Sequence, residues 1–362
     1  MIKSSFLACP RCNSGSLREE VGRIICNDCE RTYPTILGIV DFRDAEIDKT
    51  AAFSIVDDRR LAEQLSIIFN KVPTFNALCD IYKVLKQNVG TVISSEDSNI
   101  EELFANQVIN TGRLSEVQLA HGRAILEKLS EYISTAPHGM PPNNMALENG
   151  CGLGLFIDGF AAHFKELVVL DFSLCYLVLA KKIIEERSLV NVTLICGSVE
   201  CLPFKNDAFD FIHSNNVIEH VSDQKALFVE AKRALKTNGL FFVLSPNRFS
   251  SYFEPHFRLP FYGFIPKFIS RIIIQIWQRR SIDDISLLSL SELRKLVASQ
   301  FDENFIISFI PRYLNKTITG GFIRNILVGS LNSRILGPAT NILVNRILLG
   351  LMPYHVVLCF KI

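Results

Sequence analysis

The chain has 362 residues, 48% of them hydrophobic, which is enough to bury a full enzyme core and excludes extensive disorder. Its 38 basic side chains are balanced by 37 acidic ones, so no overall field calls for a polyanionic partner such as nucleic acid. The N-terminus lacks the apolar run of a secretory signal and no window of about 18 residues is free of charge, so the expectation is a cytoplasmic protein without a transmembrane helix.

Residues 1–42 hold Cys9, Cys12, Cys26 and Cys29 as two CxxC pairs separated by 13 residues. Each pair bends into a knuckle that aims two thiolates at one point, with Gly15 read as the turn after the first. Two knuckles make a closed tetrahedral sulfur site, the arrangement of structural zinc. With four protein ligands there is no open position, so the metal is expected to hold a small fold rather than to catalyse. The segment resembles the zinc-ribbon activator of tRNA and protein methyltransferases, which shares the paired cysteines and the run marked here by Tyr33, Pro34, Gly38, Ile39, Asp41 and Phe42. It is similar, less closely, to the ribbon of a ribosomal-RNA guanine methyltransferase.

Residues 43–140 read as a helical segment, with apolar positions recurring at helical spacing in DDRRLAEQLSIIF and GRLSEVQLAHGRAILEKLSEYI. No chemistry shows there: His121 reads as a packed or solvated flank residue, and HGMPPNN ends the helices.

From residue 141 to 362 short apolar runs alternate with helices, the signature of a parallel sheet in an α/β fold. Strands are predicted at MALENG, LVVLDFS, VTLICGS, FDFIHSNN and LFFVLSPN. The helices between them are LGLFIDGFAAHF, LCYLVLAKKIIEERS and DQKALFVEAKRALKTNG, the last stopped by its glycine. Five parallel strands with crossover helices make a doubly wound, Rossmann-like sheet. A helix with a Ser289-x-x-Glu292 capping box, a strand near FIISFI and a terminal strand HVVLCFKI follow.

Where the first of these strands turns into its helix, Gly150 and Gly152 let backbone N–H groups approach a ligand at the helix N-terminus. A dinucleotide fingerprint would put its third glycine at position 155, which is Leu155; the glycines run GxGxG instead, with Glu148 two places before. That difference favours S-adenosylmethionine. Asp171, 21 residues after Gly150, stands at the tip of the second strand, placed to accept hydrogen bonds from ribose hydroxyls, although an acid there serves NAD as well.

Residues 145–250 thereby resemble a class I S-adenosylmethionine-dependent methyltransferase, through ENGCGLG, VVLDFS, GSVECLPFKNDAFDFIHSNNVIEHV and LKTNGLFFVLSPN in the family's order. The resemblance implies a seven-stranded methyltransferase sheet. It also implies a methionine cradle from Glu148, Gly150, Cys151 and Gly152, a ribose contact at Asp171 with Phe172 beside it, and an adenine-flanking turn at Ser198, Val199 and Glu200, followed by Cys201 and Leu202. Ser198 stands where the family usually has an aspartate, which weakens the adenine contact. Asn215 and Asn216 match the positions lining the sulfonium and the substrate. No NPPY run is present, which favours O- or C-methylation over methylation of a base nitrogen.

For a hydroxyl acceptor a base must remove a proton, and His220 and His256 both follow C-terminal strand ends, the ligand-binding face of such sheets; they are the catalytic candidates. His213 lies within a strand and reads as core. Two insertions, 246–286 and 311–353, are expected to form an acceptor lid. PKFISRIIIQIWQRR sets Lys267, Arg271, Gln275 and Gln278 against an apolar face of Phe268, Ile272, Ile273 and Ile276, the pattern of an interfacial helix. Two readings stand: these helices pack on one another and on the sheet, or they meet a membrane; the expected partner is a small-molecule or lipid-linked acceptor, with peripheral contact at the cytoplasmic face of a membrane in the second reading. Two alternatives stand beside O-methylation: RNA methylation, suggested by the ribbon and opposed by the neutral charge, and a non-catalytic cofactor-binding adaptor, suggested by Ser198.

Overall fold

The computed structural model describes residues 5–43, 54–87, 123, 125–127, 139, 141–249, 262–278, 285–309 and 354–362. The chain divides into two units: Met1–His213 with Val229–Leu240, and Ser214–Phe228 with Phe241–Ile362.

The first unit opens with an antiparallel meander of β1 (Leu17–Glu20), β2 (Arg23–Cys26), β3 (Thr32–Ile36) and β4 (Ile39–Asp41). The β3–β4 connection is two residues, Leu37 and Gly38, at φ 51° and 77°. Left-handed backbone at both places matches the twist of the flanking strands, which is why a glycine sits there. Two helices follow, α1 (Ile55–Ile68), capped by the Ser54 side chain, and α2 (Phe75–Gln87). Both pack on a later helix, α4 (Leu174–Glu186).

Next come β5 (Met145–Asn149), α3 (Ile157–His163), β6 (Glu166–Asp171), α4, β7 (Val192–Cys196) and β8 (Phe209–Asn215). Helix α5 (Gln224–Ala234) and β9 (Leu235–Pro246) each pass from one unit into the other. Within the first unit neighbouring strands run β1-β2-β3-β4-β7-β6-β5-β8. The pairings of β4 with β7, β7 with β6, β6 with β5 and β5 with β8 are all parallel. The chain moves outward from β5 to β7 and then returns to the other side of β5. That reversal opens a crevice at the carboxyl ends of the strands, where such sheets bind ligands. Because β4 pairs with β7, the meander covers an edge that would otherwise offer unpaired backbone groups. Helix and sheet meet through phenylalanines: Phe164 stacks on Phe211 with ring centroids 5.3 Å apart, and Phe160 meets Phe211 edge-on at 5.9 Å.

The second unit contains α6 (Lys267–Gln278), α7 (Leu290–Ala298), β10 (Glu303–Phe309) and β11 (Tyr354–Phe360), the last two antiparallel, beside the end of β9. Phe228, Phe241 and Phe301 form its aromatic core. The capping box of α7 is present in full: Ser289 Oγ accepts from Glu292 N, and the Glu292 carboxylate accepts from Ser289 N. On α6 Ser270 and Ile274 are buried, whereas Phe268, Ile269, Ile272 and Ile276 are exposed, Ile276 by 71%. No helix among the described residues is long and apolar enough to cross a membrane.

Two expectations shift. Helix α3 begins at Ile157 rather than at the glycine loop, because Gly150, Gly152 and Gly154 all take positive φ (92°, 49° and 81°), which a right-handed helix does not allow. Helix α5 stops at Ala234, and LKTNG belongs to β9. Asn238 is left-handed at φ 63°, and a Cβ on Gly239 would lie 2.8 Å from the Lys236 carbonyl, so that glycine serves a tight approach inside the strand. Of the expected lids, 311–353 lies outside the described residues, as does most of the helical segment beyond Gln87.

Candidate functional site

In the N-terminal meander, the first CxxC knuckle closes with Asn13 N donating to Cys9 O (2.8 Å) and the second with Glu30 N donating to Cys26 O (2.9 Å). Asn13 and Glu30 are left-handed, at φ 58° and 57°, so the two knuckles repeat one geometry. Asn13, rather than Gly15, makes the turn after the first. Gly15 instead leaves room for the Lys205 side chain, whose Cε would lie 2.4 Å from an added Cβ. The four sulfurs lie within 4.8 Å of one another, with Cys9–Cys29 at 3.6 Å and Cys12–Cys26 at 3.5 Å. Tetrahedral zinc with Zn–S bonds of about 2.3 Å needs sulfurs about 3.8 Å apart, so the donor set fits that ion. Burial pushes the Cys9 thiol up, but the Tyr33 hydroxyl 3.0 Å away and the backbone amides of Cys12 and Arg11 outweigh it and bring it down to about 7. A lowered thiol is ready to become a metal-bound thiolate. Tyr33 also packs against Phe42, the rings tilted with centroids 4.7 Å apart, and Phe42 N donates to Cys196 O, which joins the cluster's support to the edge of the parallel sheet.

The glycine loop leaves β5 as a string of left-handed turns. Gly150 N donates to Leu170 O at 2.8 Å, tying the loop to β6, and Gly152 N donates to Asp171 Oδ2 at 2.8 Å. The second oxygen of Asp171 accepts from Ser173 N, also at 2.8 Å. An added Cβ on Gly152 would meet nothing within 4 Å, so the loop borders open space there. Gly154 differs: its Cβ would press on Ile157 and Ile183 at 3.0 Å, so its role is close packing of the helix. Each Asp171 oxygen accepts from one backbone donor, and the Cys151 thiol also hydrogen-bonds the carboxylate. Burial raises the Asp171 carboxyl from 3.8 to about 6, with the Ser173 and Gly152 amides pulling the other way. Burial likewise lifts the Cys151 thiol far above its ordinary value, and the nearby Asp171 and Glu148 charges add to this.

Glu148, two residues before Gly150, is fully buried and its Oε2 lies 2.7 Å from His213 Nδ1. Burial raises the Glu148 carboxyl, opposed by His213. The pairing follows from register, since Glu148 and His213 face each other across the parallel β5–β8 pair. Sequence reading placed His213 in the core, where it lies, but could not see its partner. Phe156 and Phe160 wall the imidazole at 4.7 and 4.9 Å. Glu148 Oε1 and both amide atoms of Asn149 are buried without a hydrogen-bond partner among the described residues. Such groups are expensive unless something pairs with them.

After β7, Gly197 N donates to Asp171 O (3.1 Å) and Ser198 Oγ accepts from Glu200 N (3.2 Å). Glu148, Gly150, Cys151, Gly152, Asp171, Phe172, Ser198, Val199 and Glu200 all belong to the first unit, on the carboxyl ends of β5, β6 and β7. Asn215 belongs to the second unit, as does His220, which is exposed at the end of a short turn, Ile218–His220, beside the buried Glu219. His256 lies outside the described residues. The acceptor set of the first unit, the Asp171 carboxylate with the unpaired Glu148 Oε1 and Asn149 Oδ1 one strand away, fits S-adenosylmethionine, whose ribose hydroxyls and ammonium are donors.

Residues 147–243, the stretch holding the glycine loop and Asp171, match the family model described as a methyltransferase domain. The uncharacterised methyltransferase YcgJ of Bacillus subtilis is 30% identical over 98 residues, 27% of this chain and 39% of the relative. A ubiquinone biosynthesis O-methyltransferase of Coxiella burnetii is 30% identical over 102 residues, 28% of this chain and 43% of the relative. The chain thus spans about two fifths of the length of the curated relatives it matches. Among solved structures, YcgJ overlays with a TM-score of 0.40 at 17% identity, covering 67% of this chain and 98% of that one. Phosphoethanolamine N-methyltransferase 2 of Haemonchus contortus overlays with a TM-score of 0.42 at 17% identity, covering 65% and 53%.

Proposed function

We propose that the protein is an S-adenosylmethionine-dependent methyltransferase that O-methylates a small-molecule, glycan or lipid-linked acceptor, with structural zinc in its N-terminal ribbon. In this reading strands β5 to β11 are the seven strands of the methyltransferase fold and β1 to β4 are the ribbon. One observation carries the cofactor assignment: the glycine-loop amide of Gly152 is bonded to the buried carboxylate of Asp171, within the region that matches the methyltransferase domain. When bound, the cofactor supplies a methyl group on an electrophilic sulfonium. Asp171 then accepts from the ribose hydroxyls, Glu148 and Asn149 offer acceptors to the ammonium, and the turn at Ser198, Val199 and Glu200 borders the adenine.

The acceptor assignment rests on other features. His220, exposed after the end of β8, is the base we assign to take the proton from a hydroxyl acceptor. Phe264, Phe268, Ile269, Ile272 and Ile276 are exposed around α6, in a stretch that also carries Lys267 and Arg271. Such a surface suits a lipid-linked acceptor and peripheral contact with an anionic membrane face. The likeness to a ubiquinone biosynthesis O-methyltransferase supports transfer to oxygen. The test is to supply full-length protein with S-adenosylmethionine labelled on the methyl group, together with separate lipid, small-molecule and RNA fractions. Label should enter the lipid or small-molecule fraction; label confined to RNA would overturn the acceptor assignment.

A further inference from the structure

A buried ionic cluster upstream of the methyltransferase domain grips the loop that carries Asp171. Arg43, immediately after β4, has a fully buried side chain that forks onto Asp41, with Nε and Nη2 each 2.8 Å from one carboxylate oxygen. Its remaining nitrogen, Nη1, donates to Asp58 Oδ2 at 2.6 Å and to the backbone carbonyl of Phe172 at 2.9 Å. Asp58, on α1, in turn accepts from Ser173 Oγ at 2.8 Å and from Leu174 N at 2.7 Å. An anion on the first amides of α4 is favoured by the helix dipole as well as by the hydrogen bonds. Arg59 completes the set by bonding the second oxygen of Asp41 at 2.9 Å.

The consequence lies in the loop Asp171–Phe172–Ser173. Its middle carbonyl is held by Arg43, its last side chain by Asp58, and only the Asp171 carboxylate is left facing the glycine loop through Gly152. A carboxylate that must meet two vicinal hydroxyls works only if its plane is set within a fraction of an ångström. Neither Arg43 nor Asp58 is needed merely to fill space. Planar guanidinium bonded on all sides is an expensive group to bury, kept here at a junction of β4, α1 and the Asp171 loop.

We propose that Arg43 and Asp58 are positioning residues for the ribose-binding carboxylate, so that the ribbon's exit strand and helix α1 set how strongly the site discriminates ribose from deoxyribose. The inference rests on the cofactor reading above and deepens it. Its test compares binding of S-adenosylhomocysteine with binding of the 2′-deoxy analogue, by titration calorimetry on the full chain. Wild type should favour the ribose ligand by about ten- to a hundredfold, the worth of a hydrogen bond to a charged group. In Arg43→Lys and Asp58→Asn the ribose ligand should lose most of that advantage while the deoxy ligand changes little, collapsing the ratio to within about threefold. Ser289→Ala, a cap in the second unit, should lower stability and leave the ratio unchanged. Should either buried variant fail to fold, Ser173→Ala removes the hydroxyl that Asp58 holds, which also caps α4 by accepting from Tyr176 N, and should still reduce the ratio by about threefold. Folded variants with a wild-type ratio, or with both ligands weakened equally, would overturn the positioning role. Wild type binding neither ligand would instead overturn the cofactor reading beneath it.

Discussion

Asp171 is the residue on which the proposed cofactor site turns, and its chemistry sets a pH dependence. Burial raises its carboxyl to about 6, and hydroxyl donors bind the ionised form. Binding therefore lowers that value, releases protons near pH 6, and weakens as pH falls below it. Titrations of S-adenosylhomocysteine in buffers of different ionisation enthalpy should show this release in wild type and not in Asp171→Asn; a pH-independent affinity between 5 and 8 would contradict it. Without ligand the sign is opposite: an acid whose folded value is raised contributes stability below about 4 that is lost as pH rises through about 6. Glu148 and His213 form the other residue-scale test. His213→Leu strands a buried carboxyl, so urea unfolding should show a loss of about 3–5 kcal/mol, and a loss under about 1 kcal/mol would mean the pair is not coupled. The glycine run and Asp171 were legible in the sequence because each is a local signal at the end of a strand. The Glu148–His213 pair was not, since its members are 65 residues apart and meet only through the β5–β8 register. Arg43 was hidden for the same reason, its contact with Phe172 spanning 129 residues.

At the scale of elements, apolar runs and helix periodicity located the strands and helices well, and the ends less well. The capping box at Ser289 and Glu292 was readable because both partners lie within one turn. Ser289→Ala should cost about 1 kcal/mol, measured as a shift in the unfolding of the second unit, and no measurable change would contradict the assignment. The end of α5 was misread because a glycine after a helical run looks like a stop. In the structure a Cβ on Gly239 would lie 2.8 Å from the Lys236 carbonyl and 3.2 Å from that of Asp210, so the glycine serves a close approach inside β9 instead. Helix α6 shows the reverse case. Its apolar pattern was evident, but whether that face is covered was not, and Phe268, Ile272 and Ile276 prove to be exposed.

For the molecule as a whole, the N-terminal meander that carries the four cysteines is joined to the parallel sheet by strand pairing rather than tethered to it, because β4 extends the edge at β7. Metal loss should therefore reach further than the four cysteines. Freshly purified protein should contain about one zinc per chain, and Cys26→Ser should lose it. The same variant should unfold at a lower temperature and aggregate more, as the edge of β7 loses its cover. Wild type without zinc, or a metal-free variant of unchanged stability, would contradict this. The measurement that bears most directly on the central claim is a calorimetric comparison of S-adenosylmethionine with NAD on the full chain, in wild type and Asp171→Asn at pH 8. Saturable binding of S-adenosylmethionine alone, weakened about ten- to a hundredfold by Asp171→Asn, is the predicted result. Binding of NAD in its place, or S-adenosylmethionine affinity untouched by the substitution, would contradict the account.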